Sequence, residues 1–577
     1  MTANLVKRMG AASCSLAMLL AMQVSLPAAE TAPPSETREG REARMRWWRE
    51  ARFGLFIHWG PVSLTGLEIS WSRANSNPKC PNQGPTPVEI YDQLYRQFNP
   101  TNFSAVEWVK LARTAGMKYV VFTAKHCDGF LHWPSQADRH NIASTPFQRD
   151  VCGELAKAAR RTGMKLGWYF SPMDWRDPDF RTDRNAAFVG RMQTELRELL
   201  GHYGRLDVMW FDWDAREPLY DQLNTYALVR ALQPGIIINN RLDLGIGNND
   251  NQILSPNADY YTPEQRIGHY DDERPWETCM TIGTQWSWKP NDTIKSAREV
   301  IGILARTVGG DGNLLLNVGP MPDGRIEPRQ VEVLRQVGAW LKDNRESIYG
   351  ARGGPFKPSP ALVSTRKGKN VYLHVLKWSD EKLTLPALPK KIVRSRWLTG
   401  GAVPLTQTDS GITLTVGKLD PQAKDSIIKL RLDGPADEIP PRDVVRPGLI
   451  KPDMKATASN VYQNQAGHSP GKAIDGDEDT RWATDAGTKQ AWLEVDLGQP
   501  ATFDRVEIEE AFAGRVQSFE LQWRDGEQWR TFHRGTTLGE RFSGRFDAIT
   551  AQRVRLNILD ATGGPTLTEF QLFPPKK

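Results

Sequence analysis

At 577 residues the chain is too long for one ordinary hydrophobic core and is expected to divide into two to four domains. Its 74 Lys and Arg nearly balance 68 Asp and Glu, a net charge of +6 with no long like-charge run, which argues against a nucleic-acid-binding tail or a polybasic membrane patch. A hydrophobic content of 39%, and no apolar stretch of ~18 residues after the N-terminus, exclude a polytopic membrane protein. The one unusual count is 20 Trp, whose indoles suit cores but also suit the C–H faces of sugars.

In chain order, Lys7 and Arg8 precede an apolar stretch, Ala11 to Val24, too short to span a membrane, and SLPAAE supplies small residues for cleavage near Ala28 or Ala29. Residues 1–29 therefore read as a signal peptide, and the protein is expected to be exported to a periplasm or secreted. Cys80, Cys127, Cys152 and Cys279 are too few for a disulfide scaffold.

From Arg52 to about Gly350, apolar runs alternate with amphipathic stretches. FGLFIHWG (Phe53 to Gly60) is the first expected strand. Ser104 and Glu107 form a capping signature before a helical run that Gly116 stops, and YVVFTAKH is the second strand. ARTAGMK at Ala112 returns as ARRTGMK at Ala159, before LGWYFSP as the third. DVMWFD, GIIINN, Asp259 to Thr262, ETCMTIG and NLLLNVG complete eight, a count that fits a (β/α)8 barrel. An open nucleotide-binding sheet would carry a glycine-rich loop after the first strand, which is missing.

In such a barrel function gathers where strands end, and this reading puts His58, His126 with Asp128, Tyr169 with Asp174, Asp212 with Asp214, and Arg241 after five successive strands. Most stand beside Trp or Phe, a combination of hydroxyl partners, apolar wall and carboxylate that suits a sugar. His126 and Cys127 are adjacent in a strand and point to opposite faces, which disfavours a shared zinc ion. No Gly-x-Ser-x-Gly elbow or His-Glu-x-x-His helix is present, so acidic residues are the expected workers.

FGLFIHWG, KHCDGF (Lys125 to Phe130), MWFD (Met209 to Asp212), NNR (Asn239 to Arg241), YTPEQ (Tyr261 to Gln265) and GGDGNLLLNVGPMPDG (Gly309 to Gly324) together resemble the ordered signature of the retaining α-L-fucosidases. The resemblance implies an exo-acting enzyme that releases terminal L-fucose from glycans by double displacement, with no catalytic cofactor. It makes Asp212 the nucleophile and Glu264 of YTPEQ the acid/base, preferred to Glu277 of PWETC. It also implies that His58, Glu68, Trp71, His126, Tyr169, Trp210 and Arg241 bind fucose or line its site, with Trp288 near the C6 methyl. Two departures stand out: Cys127 replaces a frequent second His, and Asp212 is followed by Trp213 and Asp214. The other function classes are a fucose-binding protein without chemistry and a retaining hydrolase of a related galacto-configured sugar.

Residues 43–350 are thus expected to form the catalytic barrel. VYLHVLKW, KLTLPAL, ITLTV and SIIKLRL alternate polar and apolar residues, so 357–434 reads as a small antiparallel sandwich. A proline-rich, charged connector occupies 435–449, where inter-domain movement is expected. Within 450–577, SPGKAIDGDEDTRWAT, WLEVDLG and TEFQLF resemble the discoidin-like, coagulation-factor C-type modules that serve as carbohydrate-binding domains. That resemblance implies a second all-β sandwich with a structural calcium held by Asp475, Thr480, Glu569 and the carbonyls of Lys472 and Asp477, an oxygen-only set suited to that ion. The expected partner is a fucosylated glycan, with no nucleic acid and no membrane span; the sequence carries no sign of an oligomeric state.

Overall fold

The computed structural model describes residues 36–74, 84–213, 218–243, 256–359, 362–376, 381–417, 426–444, 448–476, 480–539 and 541–575. The expected signal peptide, Cys80, Asp214 and Asp477 lie outside them. Among the described residues no helix is long and apolar enough to cross a membrane. Cys127, Cys152 and Cys279 are free and buried.

Seven parallel strands form the sheet at the centre of the catalytic region: β1 (Phe53–Ile57), β2 (Tyr119–Lys125), β3 (Lys165–Phe170), β4 (Val208–Phe211), β5 (Ile237–Ile238), β6 (Glu277–Thr281) and β7 (Asn313–Val318). Their order is β5-β4-β3-β2-β1-β7-β6. Apart from Lys165 every strand residue is buried, because helices cover the outside and side chains fill the inside. The segment Asp259 to Thr262, expected as a strand, is instead an extended stave held by single bridges, Asn239 to Tyr260 on one side and Tyr261 to Trp276 on the other. Asp259 N–H donates to Ile238 O at 2.7 Å and Glu277 N–H to Tyr261 O at 3.0 Å, closing a (β/α)8-like barrel between β5 and β6. Pro263 lacks the N–H a regular ladder needs, and Gln265 has φ of 54°, so the stave turns away after a few residues.

The crossover helices begin and end where local chemistry dictates. Ser104 Oγ accepts from Glu107 N–H at 3.3 Å at the head of Ala105–Thr114. Asp150 caps Val151–Thr162, which stops at the left-handed Gly163, φ 68°. Ser296 and Glu299 cap Ala297–Gly309 reciprocally, a full capping box that the sequence reading passed over.

Beyond the barrel, the strands Ile392–Trp397, Ser426–Leu432, Asn370–Val375, Leu362–Lys367 and Arg352–Gly353 form one sheet in that order, and Lys382–Leu385, Gly411–Thr415 and Leu405–Thr408 form a second. Leu373, Leu383, Ile412, Leu414, Ile428 and Leu430 share one buried core between them. The first part of the proline-rich connector is anchored: Ala436 N–H donates to Gly368 O at 2.8 Å and Arg442 N–H to Pro355 O at 2.7 Å. The last segment has its own core around Trp482, Leu493, Val506, Phe519, Leu556 and Phe570. It is built on two long strands, Ala491–Glu510 and Arg541–Ala561, antiparallel to each other and interrupted by bulges, where the strands bend.

Candidate active site

A cavity of about 250 Å³ opens at the carboxyl ends of the barrel strands, just below the roughly 300–1,000 Å³ range for ligand pockets and room for about one sugar ring. Its lining comes from almost every stave of the barrel. Phe56 and His58 follow from β1, His126 from β2, Tyr169 from β3, Trp210, Asp212 and Trp213 from β4, Arg241 from β5, Glu264 from the stave after Pro263, and Cys279 from β6; Trp71 and Trp286 reach in from loops. Tyr169 and Trp210 are cross-strand neighbours, so their rings stack, 5.5 Å apart and 18° from parallel.

Arg241 organises the polar half. Its Nη1 donates to Asp212 Oδ1 at 2.9 Å and to Glu264 Oε2 at 2.7 Å, its Nε to Thr262 Oγ1 at 2.7 Å, and its Nη2 to Thr262 O at 3.1 Å. The guanidinium carbon lies 4.8 Å over the Trp210 ring. Burial opposes its charge, but Glu264 and Asp212 beside it more than offset that and hold it well above its ordinary value. Asp212 also accepts from Tyr169 Oη at 2.8 Å and from Trp213 N–H at 3.0 Å, so three donors converge on one carboxylate. Trp213 has φ of 70°, a strained left-handed backbone where the chain leaves β4 at the pocket. Burial, then the Asp212 charge, pushes the Tyr169 phenol well up and keeps it a donor.

The opposite wall carries the histidines. His58 Nδ1 lies 2.7 Å from Asn317 Oδ1, whose amide nitrogen donates to Trp286 O at 2.7 Å. With a carbonyl oxygen facing it, Nδ1 is assigned the proton and Nε2 is left as the acceptor. Burial, then His126, pushes His58 well below its ordinary range, and burial also lowers His126, so both rings favour the neutral form. His126 Nδ1 meets Ser70 Oγ at 2.6 Å and its ring stacks on Tyr169, 3° from parallel. Phe56, Trp71, Trp210, Trp213 and Trp286 supply the apolar surface.

Of the residues expected from the sequence, Asp212, Glu264, His58, Trp71, His126, Tyr169, Trp210 and Arg241 thus come together around one cavity. Three others do not line it. Glu277 starts β6 with its carboxylate fully buried, accepting from Trp48 Nε1 at 3.3 Å, Trp210 Nε1 at 3.1 Å and Tyr119 Oη, with no opening toward the pocket. Glu68 spends its carboxylate on backbone amides, accepting from Trp286 N–H at 2.8 Å and Ser287 N–H at 3.1 Å, and so holds the loop that carries Trp286. Trp288 is replaced in the wall by Trp286, two residues earlier. Cys127, where a second His was expected, is buried in the barrel core with its Sγ 3.3 Å from His126 Nδ1. Asp128 and Asp174 lie outside the lining too: Asp128 accepts from Tyr91 Oη at 2.7 Å, and Asp174 pairs with Lys125 at 3.1 Å. The sequence reading missed Phe56, Thr262, Cys279, Trp286 and Asn317. Phe56 and Asn317 sit in recognised strands and were legible by alternation; the choice of Trp286 over Trp288 depends on the path of a loop.

In the C-terminal module, Thr480 Oγ1 lies 2.9 and 2.8 Å from the Asp475 carboxylate oxygens and 3.1 Å from Lys472 O. Glu569 Oε1 accepts from the adjacent Gly476 N–H at 2.7 Å. These oxygens are a donor set of the kind calcium takes, although Lys472 Nζ also reaches Asp475 at 3.1 Å.

Residues 19–346 match the family model described as Alpha-L-fucosidase, and residues 455–570 match the F5/8 type C domain. An alpha-L-fucosidase of Branchiostoma floridae is 30% identical over 64% of this chain and 88% of its own length, and the plasma alpha-L-fucosidase of Homo sapiens 30% identical over 62% and 82%. Among solved structures, alpha-L-fucosidase isoenzyme 1 of Paenibacillus thiaminolyticus superposes with a TM-score of 0.61 at 31% identity, covering 68% of this chain and 99% of that one. An alpha-L-fucosidase of Bacteroides thetaiotaomicron, trapped as a covalent intermediate in complex with 2-fluoro-fucosyl fluoride, gives 0.60 at 26% identity, covering 68% and 96%. With a fucosidase model spanning more than half its length, the chain belongs to the alpha-L-fucosidase family.

Proposed function

We propose that in this retaining α-L-fucosidase Asp212 is the nucleophile and Glu264 the general acid/base. The observation that carries the assignment is the shared donor: with legs of 2.9 and 2.7 Å to one Arg241 nitrogen, Asp212 Oδ1 and Glu264 Oε2 can lie no further apart than the sum of the two, about 5.6 Å. Retaining glycosidases place their carboxyl groups about 5–5.5 Å apart, whereas inverting ones need roughly 6.5–9.5 Å for a water between them. Asp212 attacks the anomeric carbon as the glycosidic bond breaks, and Glu264 delivers its proton to the departing oxygen. The resulting fucosyl ester is then opened by a water that gives its proton to Glu264, restoring both groups and releasing fucose with retained configuration.

The exposure of the two carboxylates supports this division. Glu264 is 37% exposed, so an aglycone can reach it, while Asp212 at 19% sits deeper beneath three donors. Neutral His58 offers a hydroxyl of the sugar its Nε2 as acceptor, and the indoles of Trp71, Trp210 and Trp286 face its apolar surface. A site closed around one ring acts on terminal fucose. The test is inactivation with a 2-deoxy-2-fluoro fucosyl donor and mass spectrometry of the digest: the label is expected on Asp212, together with a turnover loss of several orders of magnitude in Asp212→Asn. A label on Asp174 or Asp214 overturns the assignment.

The reading extends to the rest of the chain. Lys7, Arg8 and the apolar stretch to Val24 support export by a cleaved signal peptide. The oxygens of Asp475, Thr480, Glu569 and the Lys472 carbonyl would hold a structural calcium that ties the loops of the C-terminal sandwich together.

A further inference from the structure

We propose that Glu277 is a positioning residue of the active site, a buried carboxylate beneath the pocket floor that fixes the Trp210 indole and, through it, both side chains that hold the nucleophile. This inference rests on the assignment of Asp212 and Glu264 above.

A carboxylate with no exposed surface in the middle of a barrel is costly, and it persists only where something is gained. Glu277 is surrounded by donors, with Trp48 Nε1 and Tyr119 Oη on Oε2 and Trp210 Nε1 at 3.1 Å on Oε1, and no Lys or Arg is among these partners. An indole N–H can only donate, so Oε1 selects the orientation of the Trp210 ring. That ring is the common platform of the site. Arg241 lies over it at 4.8 Å and Tyr169 stacks on it at 5.5 Å, and these two donate to opposite oxygens of Asp212, at 2.9 and 2.8 Å. Arg241 carries the same registration to Glu264. A tilt of the indole would therefore move both catalytic carboxylates together, and catalytic geometry tolerates little displacement. Tyr119 meets the same carboxylate from β2 without lining the pocket, so it separates support of the pocket from support of the fold.

The experiment compares Glu277→Gln, Trp210→Phe, their double variant and Tyr119→Phe on an aryl α-L-fucoside, with kcat, KM and thermal unfolding measured for each. Glu277→Gln keeps the shape but puts an amide N–H against one of the donor sets. It is expected to lower kcat by 10- to 100-fold with KM changed by less than threefold, and the loss is expected to be largely absent in the Trp210→Phe background, where the N–H that Oε1 receives is already gone. Tyr119→Phe is expected to lower the melting temperature while keeping kcat within about twofold. Glu277→Gln and Trp210→Phe with wild-type kcat, or losses that multiply fully in the double variant, overturn the inference. Should Glu277→Gln fail to fold, Trp210→Phe alone decides: unchanged kcat refutes a role for the Nε1 bond. Azide keeps the two levels of the argument apart. If Glu277→Ala regains turnover with azide and yields α-fucosyl azide, Glu277 is itself the acid/base and the assignment of Glu264 fails; a kcat loss without rescue leaves that assignment intact.

Discussion

Asp212 and Glu264 share one hydrogen-bond donor: Arg241 Nη1 lies 2.9 Å from Asp212 Oδ1 and 2.7 Å from Glu264 Oε2. A single guanidinium thus sets the spacing of the two proposed catalytic carboxylates, and its remaining nitrogens are fixed by Thr262 at the end of the closing stave. Arg241→Lys keeps the positive charge but replaces a planar fork by one point charge, which cannot hold both carboxylates and Thr262 in the same arrangement. A fall of about 100-fold in kcat, or nearly 3 kcal/mol, is expected from steady-state kinetics on an aryl α-L-fucoside. A variant within threefold of wild type would show that the spacing is set elsewhere.

The acid/base assignment makes its own demand. Glu264→Ala removes the proton donor, so substrates with poor leaving groups are expected to suffer far more than activated phenyl fucosides. Azide needs no base and is expected to restore turnover with α-fucosyl azide as product, whereas Asp212→Ala rescued by azide yields the inverted β-azide. NMR of the azide products distinguishes the two, and a β product from Glu264→Ala would exchange the roles.

Stability has a separate centre at the amino-terminal end of the barrel strands. Asp311, just before β7, is buried and receives Arg52 Nη2 at 2.6 Å, Arg352 Nη2 at 2.6 Å and Arg49 Nη2 at 3.2 Å, tying β1 and β7 to the first strand of the middle sandwich. Burial favours the neutral acid, but the three guanidiniums prevail and hold the carboxyl down at about 2, against 3.8 ordinarily. A pKa lowered on folding adds stability at pH above the unfolded value, and this is lost as pH falls from about 4 toward 2. The shift corresponds to an order of 2 kcal/mol. Asp311→Asn leaves the buried Arg52 without its counter-charge and is expected to cost about 3–5 kcal/mol at pH 7 by urea denaturation. The difference from wild type is expected to narrow as pH is lowered through this window, and a difference independent of pH would refute the electrostatic account.

The calcium reading of the C-terminal module is checked by chelation. Removing the ion from protein equilibrated with calcium is expected to lower the melting temperature of this module, by about 2.7 kcal/mol of stability if calcium had stood at 100 times its dissociation constant. Asp475→Ala is expected to abolish that response, while turnover of a small aryl fucoside stays within twofold in both cases because the barrel carries its own site. Unfolding insensitive to both calcium and chelator would leave the Asp475–Thr480 cluster as an ordinary turn.

Much of this was readable locally. Hydrophobic runs placed seven strands of the barrel, and the residues that follow such runs, His58, His126, Asp212 and Arg241, reach the pocket because parallel strands in a closed barrel must end on one rim. Cap residues such as Ser104 and Gly163 act within three or four positions, so they too are legible. What the sequence could not decide depends on contacts between distant parts of the chain. Glu264 and Glu277 are both carboxylates in family-like motifs, and only closure of the barrel puts the first at the mouth and the second among Trp48, Tyr119 and Trp210. Trp286 and Trp288 are equivalent by spacing, and Glu68, more than 200 residues away, selects between them by binding the amides of Trp286 and Ser287. Local pattern determines what each segment can become; which of two chemically similar side chains lines the cavity is decided by packing, where burial and hydrogen-bond geometry across the whole barrel choose one and turn the other away.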